Sequence, residues 1–307
     1  MKNSTTHHHL CAVINTEVQK KSQSIQSAND KLINNEIPRI IRILDMGCGN
    51  GKLMVFLYHK LPQLLGKSIE IELYGFDVSD SNIQYSDFFE KTIGDLTSQI
   101  PSINWEERVF QITSTQTWPF PDNYFDYVIS NQVMEHVIDY NFVFQQIRRT
   151  LKQEGMSIHL FPLKNYIYEG HILIPFVHRI SNIERLKLYI KICSFLRFGW
   201  YKQEKHSGLS INDFSEMRAD YIAFETNYLT KQELINLVKF NRLKFSFKYT
   251  EQYYWNKIRS ILGYPCNYKY KTKNFILDSL LFSICVRVSC ITLVLEKNNI
   301  WERSTQR

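Results

Sequence analysis

A glycine-rich turn, set between an apolar run and an apolar helical pattern, constrains the fold of this chain most strongly. The apolar run at residues 40–44 ends in Asp45, and the segment Gly47-Cys-Gly-Asn-Gly51 follows it. Residues without a Cβ atom let the backbone approach a ligand closely, and a helix N-terminus offers free N–H groups to that ligand. The segment therefore predicts a strand, a ligand-binding turn and a helix.

The spacing of these glycines discriminates between cofactors. A dinucleotide-binding turn has the pattern Gly-x-Gly-x-x-Gly and directs the helix dipole at a pyrophosphate. This chain instead has Gly-x-Gly-x-Gly with a carboxylate two residues before the first glycine. That arrangement suits a zwitterionic amino-acid group better than a diphosphate, which disfavours a nicotinamide oxidoreductase.

A second acid follows at the end of the next predicted strand. Residues 69–76 are apolar and partly alternating, and the run stops at Asp77. A carboxylate at the end of the second strand can accept hydrogen bonds from both hydroxyls of a ribose. Ser79 is predicted to cap a helix over residues 80–91.

The later segments continue an alternation of strands and helices. Trp118–His136 contains a turn and a buried strand over residues 125–130, which ends before Asn131 and Gln132. Further predicted elements are helices over 10–21, 141–151, 229–240 and 275–288 and strands over 156–163, 243–250 and 290–296. Thr230 and Glu233 have the spacing of a capping box at the start of the 229–240 helix.

In motif, order and spacing these segments resemble the class I S-adenosylmethionine-dependent methyltransferases. The resemblance implies a Rossmann-like α/β fold, with a seven-stranded, mostly parallel sheet, helices on both faces, an antiparallel last strand and helical lid insertions. It also implies S-adenosyl-L-methionine as cofactor and S-adenosyl-L-homocysteine as product. The cofactor-binding residues that it implies are Asp45, Gly47, Cys48, Gly49, Asn50, Gly51, Asp77, Val78, Thr113, Ser114, Asn131, Gln132 and His136.

The chain departs from the resembled family near the third strand. Many members have an acid there, which accepts a hydrogen bond from the adenine amino group. Alignment on Pro119-Phe120 puts Ser114 at this position, with Thr113 beside it. A hydroxyl can accept the same hydrogen bond, although more weakly than a carboxylate.

The sequence divides into a nucleotide-binding core and additions to it. The predicted parts are a polar, partly helical lead (1–38), the cofactor-binding core (39–163), an insertion (164–228), the return of the core (229–297) with a helical insertion at 251–289, and a tail (298–307). Ligands of open α/β sheets bind beyond the carboxyl ends of the parallel strands. Both insertions leave the sheet at that edge, so we expect them to form a substrate lid.

The segment after the fifth strand carries the predicted catalytic residues. Its pattern, Glu169-Gly-His171-Ile followed by Pro175-Phe, resembles more loosely a pattern in methyltransferases associated with bacterial glycan and surface-polysaccharide genes, which implies polysaccharide biosynthesis. Methyl transfer to a hydroxyl requires that a proton be removed, and a neutral imidazole can take it near pH 7. We therefore predict that His171 is the general base and that Glu169 orients it or binds a sugar hydroxyl.

Basic residues are concentrated in the predicted lid. Residues 242–273 contain eight basic residues and one acid, and residues 179–205 contain seven basic residues and two acids, in a chain of net charge +7. The rest of the chain is therefore acidic. Positive potential over the site favours a small-molecule or lipid-linked anionic substrate. The basic amphipathic segment at 183–198 fits two alternatives, packing on its own domain, which is commoner for such a segment, and peripheral contact with a membrane.

The spacing of the cysteines and the hydropathy of the chain limit the possible cellular location and metal chemistry of the protein. The six cysteines have no Cys-x-x-Cys spacing, which fits reduced thiols in the cytoplasm and argues against a zinc site or a disulfide framework. No metal is expected. Residues 1–16 lack the apolar core of a signal peptide, and Asp278 and Arg287 interrupt the apolar segment at 275–295. We therefore expect a cytoplasmic protein without a membrane span.

Two alternative functions stay open at this point. An RNA methyltransferase would use the basic lid as a phosphate track. Against it, Ser130-Asn-Gln-Val differs from the Asn/Asp-Pro-Pro-Tyr of enzymes that methylate amino groups of nucleic acids, so nucleic acid is not the expected partner. A non-catalytic cofactor-binding protein is the other alternative, and the intact acids Asp45 and Asp77 count against it. The sequence leaves open the acceptor, the methylated atom and the oligomeric state.

Overall fold

One seven-stranded sheet organises the molecule in the computed structural model, which describes residues 4–28, 39–66, 69–80, 87–270 and 280–298. Its strands are β1 (Arg39–Met46), β2 (Ile69–Val78), β3 (Val109–Ile112), β4 (Phe125–Asn131), β5 (Leu151–Phe161), β6 (Leu243–Ser246) and β7 (Ile291–Lys297). The strand order is β3-β2-β1-β4-β5-β7-β6, and β7 runs antiparallel to both of its neighbours. The sheet predicted from the sequence, with its antiparallel last strand, is confirmed.

Ten α-helices lie around this sheet within the described residues. They are α1 (Thr5–Ala28), α2 (Lys52–Leu65), α3 (Phe88–Gln99), α4 (Tyr140–Thr150), α5 (Ile183–Phe195), α6 (Tyr201–Glu204), α7 (Ile211–Phe224), α8 (Lys231–Phe240), α9 (Thr250–Ile261) and α10 (Leu280–Val288). In the described parts of the chain, no helix combines the length and the apolar character needed to cross a bilayer.

The central strands are buried on both faces and carry the turn that follows β1. Ile43 and Leu44 of β1 and Val128 and Ile129 of β4 are fully buried, as expected for parallel strands covered by helices on both sides. The register of β1 with β2 pairs Met46 with Phe76, so the carboxyl ends of the two strands meet at one edge of the sheet. The polar residues that follow both strands therefore lie close together.

The N-terminal lead contributes to the core, in contrast to the polar lead expected from the sequence. Helix α1 begins at Thr5, before the predicted start at residue 10, and its Leu10 and Ile14 are fully buried. His9 is also buried, with Nδ1 at 2.8 Å from the Tyr270 hydroxyl and Nε2 at 2.8 Å from the Thr292 hydroxyl. Its burial lowers the pKa of His9 to about 3, so this imidazole is neutral.

Other predicted boundaries differ from the structure. The N–H and the hydroxyl of Ser79, the predicted helix cap, both donate to the carbonyl of Ile112. Helix α3 begins only at Phe88, and residues 81–86 of the predicted helix lie outside the described residues. The predicted strand over 243–250 ends at Ser246, and α9 starts at Thr250. Of the predicted helix over 275–288, residues 275–279 lie outside the described residues.

The segment between β5 and α8 has a hydrophobic cluster of its own. Its fully or nearly fully buried members are Ile172, Ile174, Val177, Leu186, Ile190, Cys193, Phe214, Ala219 and Ile222. Backbone hydrogen bonds attach this segment to the sheet, from Lys164 N to Leu229 O and from Asn227 N to Glu135 O. Glu135 follows β4, so the segment docks at the carboxyl edge of the parallel strands.

Candidate active site

The turn after β1 contains three glycines in the left-handed backbone conformation and packs against the end of β2. Gly47, Gly49 and Gly51 have φ angles of +68°, +52° and +70°, a region that glycine adopts without strain. The N–H groups of Gly47 and Cys48 both donate to the carbonyl of Phe76, at 2.9 and 3.0 Å. The turn is therefore fixed relative to β2, and α2 starts directly after it.

The three glycines differ in what surrounds them. A Cβ atom on Gly47 would lie 2.6 Å from a methyl carbon of Val133, and one on Gly51 would lie 2.7 Å from a methyl carbon of Leu96. A Cβ atom on Gly49 would meet no described atom within 4 Å. Gly47 and Gly51 thus serve packing, whereas Gly49 borders open space beside the turn.

Two buried carboxylates lie beside this open space. Asp77 accepts hydrogen bonds from Gly49 N at 2.7 Å and from Val78 N at 2.8 Å, so it organises the turn as well as the strand end. Asp45 is 3% exposed; its burial, followed by the nearby charge of Asp77, raises the pKa of Asp45 well above its usual range. A positively charged ligand group between the two acids would relieve this repulsion.

The end of β3 supplies a feature that the sequence did not reveal. The carboxylate of Asp80 accepts hydrogen bonds from Ser114 N, at 2.9 and 3.0 Å, and from the Ser114 hydroxyl at 2.8 Å. Thr113 N is 3.3 Å from the side-chain oxygen of Gln116. A carboxylate is therefore present beside Ser114, although it comes from the segment after β2 rather than from the third strand.

The last residue of β4 and the residues that follow it lie at the same edge of the sheet. Asn131 has a buried side-chain oxygen for which the described residues provide no hydrogen-bond partner. Gln132 has a φ of +58°, and its N–H donates to Leu160 O at 2.8 Å. His136 Nδ1 donates to Glu225 O at 2.7 Å, and burial lowers the pKa of His136, so its neutral ring has Nε2 left to accept. Asn50 is exposed on the turn.

A carboxylate–imidazole pair lies in the segment after β5. Glu169 is fully buried, and its Oε1 accepts hydrogen bonds from His171 Nδ1 at 2.5 Å and from the Tyr228 hydroxyl at 2.7 Å. Its Oε2 accepts from the N–H groups of His171 and Ile172, at 2.8 and 3.0 Å. Four donors thus fix one carboxylate, which in turn fixes the imidazole.

The charges of this pair shift the pKa of both partners. Burial by itself would raise the pKa of Glu169, but the hydrogen bonds and charge of His171, with the hydrogen bond from Tyr228, outweigh burial and lower it. Burial would lower the pKa of His171, but the hydrogen bond to Glu169 and its charge outweigh burial and raise it. Glu169 is therefore ionised, and the imidazole is a stronger base than a free histidine.

His171 connects the inserted segment with the residues after β4. Its ring centroid lies 5.0 Å from that of His136 and 5.2 Å from that of Tyr221, both in edge-to-face arrangements. His136 belongs to the segment that follows the cofactor-side strand β4, whereas Tyr221 belongs to α7. The structure thus brings the predicted base His171 next to His136, one of the predicted cofactor-binding residues.

Glu135 is a member of this cluster that the sequence did not single out. Its side chain is 1% exposed, and neither carboxylate oxygen has a hydrogen-bond partner among the described residues. Burial raises the pKa of Glu135 to about 8; the charge of His171 opposes this rise, and that of Glu169 adds to it. A buried carboxyl without partners is costly for a fold, so a polar ligand group beside it would be stabilising.

The arrangement has two parts. The turn residues, the acids Asp45 and Asp77 and the polar residues after β3 and β4 line the carboxyl edge of β1 to β4. The pair Glu169–His171 with Glu135 lies where the inserted segment meets this edge. Within the described residues, no group of three or more His, Cys, Asp or Glu side chains has an arrangement that could hold a metal ion.

Comparison with known proteins identifies the family. The model of a family described as a methyltransferase domain matches residues 8–209, which is more than half of the chain. No curated protein is a significant match to the sequence.

Several solved structures are similar to this chain at low sequence identity. A methyltransferase from Mesorhizobium loti, described as dependent on S-adenosylmethionine, is 12% identical over 86% of this chain and 94% of its own, with a TM-score of 0.48. The YcgJ protein from Bacillus subtilis is 15% identical over 85% and 94%, with a TM-score of 0.41. Geranyl diphosphate C-methyltransferase from Streptomyces coelicolor, in complex with Mg²⁺, geranyl diphosphate and S-adenosyl-L-homocysteine, is 12% identical over 85% and 72%, with a TM-score of 0.40.

The fold and the site define a Rossmann-like enzyme with a cofactor turn at the carboxyl edge of its sheet. The chain belongs to the methyltransferase-domain family and is a class I methyltransferase that uses S-adenosyl-L-methionine.

Proposed function

We propose that this methyltransferase transfers the methyl group to a hydroxyl of a small or lipid-linked acceptor, such as a sugar or a similar anionic metabolite. The observation that carries the proposal is the Glu169–His171 pair, in which a buried carboxylate holds one imidazole nitrogen and raises the pKa of the ring. An imidazole held in this way serves a reaction in which a proton must leave the acceptor.

The residues of the turn and the strand ends fit S-adenosylmethionine. The space beside Gly49 would hold its amino-acid part, and the two buried acids Asp45 and Asp77 would complement the positive charge of its ammonium and sulfonium groups. Asp77, which accepts from Gly49 N, would also accept from the ribose hydroxyls. Thr113 and Ser114 would contact the adenine, and the carboxylate of Asp80, which accepts from Ser114, would accept from its amino group.

The remaining predicted contacts complete the cofactor site. The side-chain oxygen of Asn131, which has no partner among the described residues, would accept from the cofactor, and Gln132 and His136 after β4 would border it. The backbone of Cys48, Asn50 and Val78 would also contact the cofactor. The bound cofactor supplies an electrophilic methyl group on a positively charged sulfur.

His171 is proposed as the general base. Its Nδ1 donates to Glu169, which leaves Nε2 to take the proton of the acceptor hydroxyl. Glu169 stabilises the imidazolium that results, because this carboxylate stays ionised. The Tyr228 hydroxyl donates to the same oxygen of Glu169 and helps to fix the carboxylate, so the direction of Nε2 is set before the acceptor binds.

Glu135 is proposed to bind the acceptor as a neutral acid. With a pKa of about 8 it is protonated at neutral pH and can donate a hydrogen bond to an acceptor oxygen. This contact would satisfy a carboxyl group that has no partner among the described residues. The basic residues of the inserted segment favour an acceptor that carries negative charge elsewhere.

Transfer of labelled methyl groups from S-adenosylmethionine to a panel of acceptors tests the proposal. The panel contains sugar phosphates, nucleotide sugars, lipid-linked sugars and, for the alternative function, RNA. We expect a labelled ether on a hydroxyl acceptor, with kcat reduced about 10²- to 10⁴-fold in His171→Gln and cofactor binding retained. Labelled RNA alone, or a His171→Gln variant with full activity, would overturn the proposal.

A further inference from the structure

Helix α5 has a second apolar stripe that faces away from the protein. Its buried stripe consists of Leu186, Ile190 and Cys193 and packs on α7 and the preceding loop. On the opposite side of the helix, at helical spacing, Leu188, Ile192 and Phe195 are 57%, 48% and 79% exposed, and Leu196, directly after the helix, is 59% exposed. An apolar row of this kind on a helix that is already packed indicates a surface with a partner.

The stripe continues onto the neighbouring loop. Leu173, Phe176, Phe198 and Trp200 are each between 36% and 48% exposed. Two hydrogen bonds link this loop to α5 and the segment after it. Trp200 N donates to Ile172 O at 3.1 Å, and the Tyr189 hydroxyl of α5 donates to Pro175 O at 3.0 Å. We call the resulting surface the lid face; it comprises Leu173, Phe176, Leu188, Ile192, Phe195, Leu196, Phe198 and Trp200.

The lid face is bordered by positive charge. Arg185, Lys191 and Arg197 are exposed beside the stripe; the acid Glu184 is also exposed there, 3.8 Å from Lys187, so the balance of charge is positive. A groove of about 490 Å³ runs along its edge, and Arg179, Arg185, Leu188, Tyr189 and Ile192 are among its lining residues. An apolar row next to cationic side chains is complementary to a bilayer with anionic headgroups, where apolar side chains enter the interface and guanidinium groups bind phosphates.

The charge also argues against a second copy of the chain as the partner. A twofold interface places each patch on its own counterpart, so the arginines and lysine would face like charges. Like charges that face each other across an interface are unfavourable. A surface of anionic lipid headgroups supplies the opposite charge along the whole face.

We propose that the lid face docks on an anionic lipid surface. The most exposed apolar residues of the lid face, Phe195 and Leu196, enter the headgroup region. Arg185 binds a lipid phosphate. His171 lies two residues before Leu173, so docking brings the rim of the active site to the membrane. A lipid-linked acceptor would then reach the site from the bilayer; this consequence rests on the proposed function, whereas the docking does not.

Flotation of the full chain with vesicles tests the docking. We expect binding to vesicles of phosphatidylcholine with phosphatidylglycerol, and much weaker binding to phosphatidylcholine alone. The variant Leu188→Gln with Ile192→Gln and Phe195→Gln should lose about tenfold or more in vesicle binding. Its matched control, Phe240→Gln with Ile261→Gln and Leu262→Gln, removes apolar residues that are 75%, 70% and 63% exposed on other surfaces and should bind as the wild type.

A second variant separates the electrostatic contribution to vesicle binding from the apolar contribution. Arg185→Gln with Lys191→Gln and Arg197→Gln should weaken binding about fivefold per charge at low salt and remove most of its salt dependence. All variants should keep the wild-type melting temperature and cofactor affinity, so that failure of docking is distinguishable from failure of the proposed function.

Three outcomes would overturn the proposal. The first is that the wild type does not bind anionic vesicles. The second is that the Leu188/Ile192/Phe195 variant and its control lose vesicle binding equally. The third is that the wild type sediments as a dimer whereas the Leu188/Ile192/Phe195 variant sediments as a monomer. The last outcome would assign the lid face to self-association.

Discussion

Glu135 and His171 are titratable groups whose neutral forms are favoured by opposite changes in pH. The proposed chemistry needs a neutral imidazole at His171 and a neutral carboxyl at Glu135. The pKa of His171 is raised above 6.5, so its neutral form appears only as the pH rises through that higher value. The pKa of Glu135 is about 8, so its neutral form is lost above this value.

The pH profile of kcat/KM should therefore be a narrow bell. We expect an ascending limb with an apparent pKa above 6.5, from His171, and a descending limb near pH 8, from Glu135. Steady-state rates between pH 5 and 10 measure both limbs. In Glu135→Gln, whose side chain is neutral at every pH, the descending limb should disappear. An unchanged descending limb in this variant would assign it to another group.

Gly49 offers a test of the cofactor turn. Gly49→Ala places a methyl group into the space proposed for the cofactor, where no described atom lies within 4 Å, at a φ of +52°. We expect a loss of about tenfold or more in affinity for S-adenosylmethionine and destabilisation by about 1 kcal/mol from the left-handed backbone. Calorimetric titration and thermal unfolding measure the two effects.

Gly94→Ala is the control for this substitution. Gly94 lies inside α3, and a Cβ atom there would also meet nothing within 4 Å. Alanine should stabilise the helix by about 0.5–1 kcal/mol without a change in cofactor affinity. A Gly49→Ala variant with wild-type affinity would show that the cofactor does not lie beside this glycine.

The sequence revealed those site residues that belong to a local pattern. The glycine turn and the acids Asp45 and Asp77 were accessible, because their roles follow from a strand, a turn and a helix in succession. Glu135 was not, since a single acid before a histidine carries no signal until the inserted segment buries it. Asp80 was also missed, because its contact with Ser114 joins two strand ends that are 34 residues apart.

At the scale of elements, local chemistry set the boundaries that could be predicted. The capping box of α8 is present as expected, since the Thr230 hydroxyl accepts from Glu233 N and the Glu233 carboxylate accepts from Thr230 N. Helix α4 likewise begins and ends within one residue of the predicted range. Among the described residues, the helix predicted over 80–91 is present from Phe88 onwards, and Ser79 bonds to Ile112 of β3, a contact that no local pattern predicts.

Thr230→Ala tests the contribution of this cap. The substitution removes the acceptor for Glu233 N and leaves the Glu233 side chain without its hydroxyl partner. We expect a loss of about 1 kcal/mol in the free energy of unfolding, seen in chemical denaturation. Thr230→Ser, which keeps the hydroxyl, should cost little. An equal loss in both variants would indicate that packing of the methyl group, not the cap, stabilises α8.

At the scale of the whole molecule, the order of strands and helices was enough to predict the sheet. Strands that alternate with helices pair in parallel through right-handed crossovers, which limits the possible orders. The docking of the N-terminal helix α1 was not predictable in the same way, because its polar first turn conceals the burial of His9 against Tyr270 and Thr292. The second apolar stripe of α5 was visible in the sequence at Leu188, Ile192 and Phe195, but only the structure shows that it is left uncovered.

Calorimetric titration of S-adenosylmethionine, S-adenosylhomocysteine and NAD into the purified protein tests the central claim most directly. We predict that the first two bind and that NAD does not. Asp77→Ala should lose the binding, because Asp77 holds Gly49 N and faces the proposed ribose position; its melting temperature shows whether the variant stays folded. Binding of NAD, or binding of neither S-adenosyl compound by the folded wild type, would contradict the account.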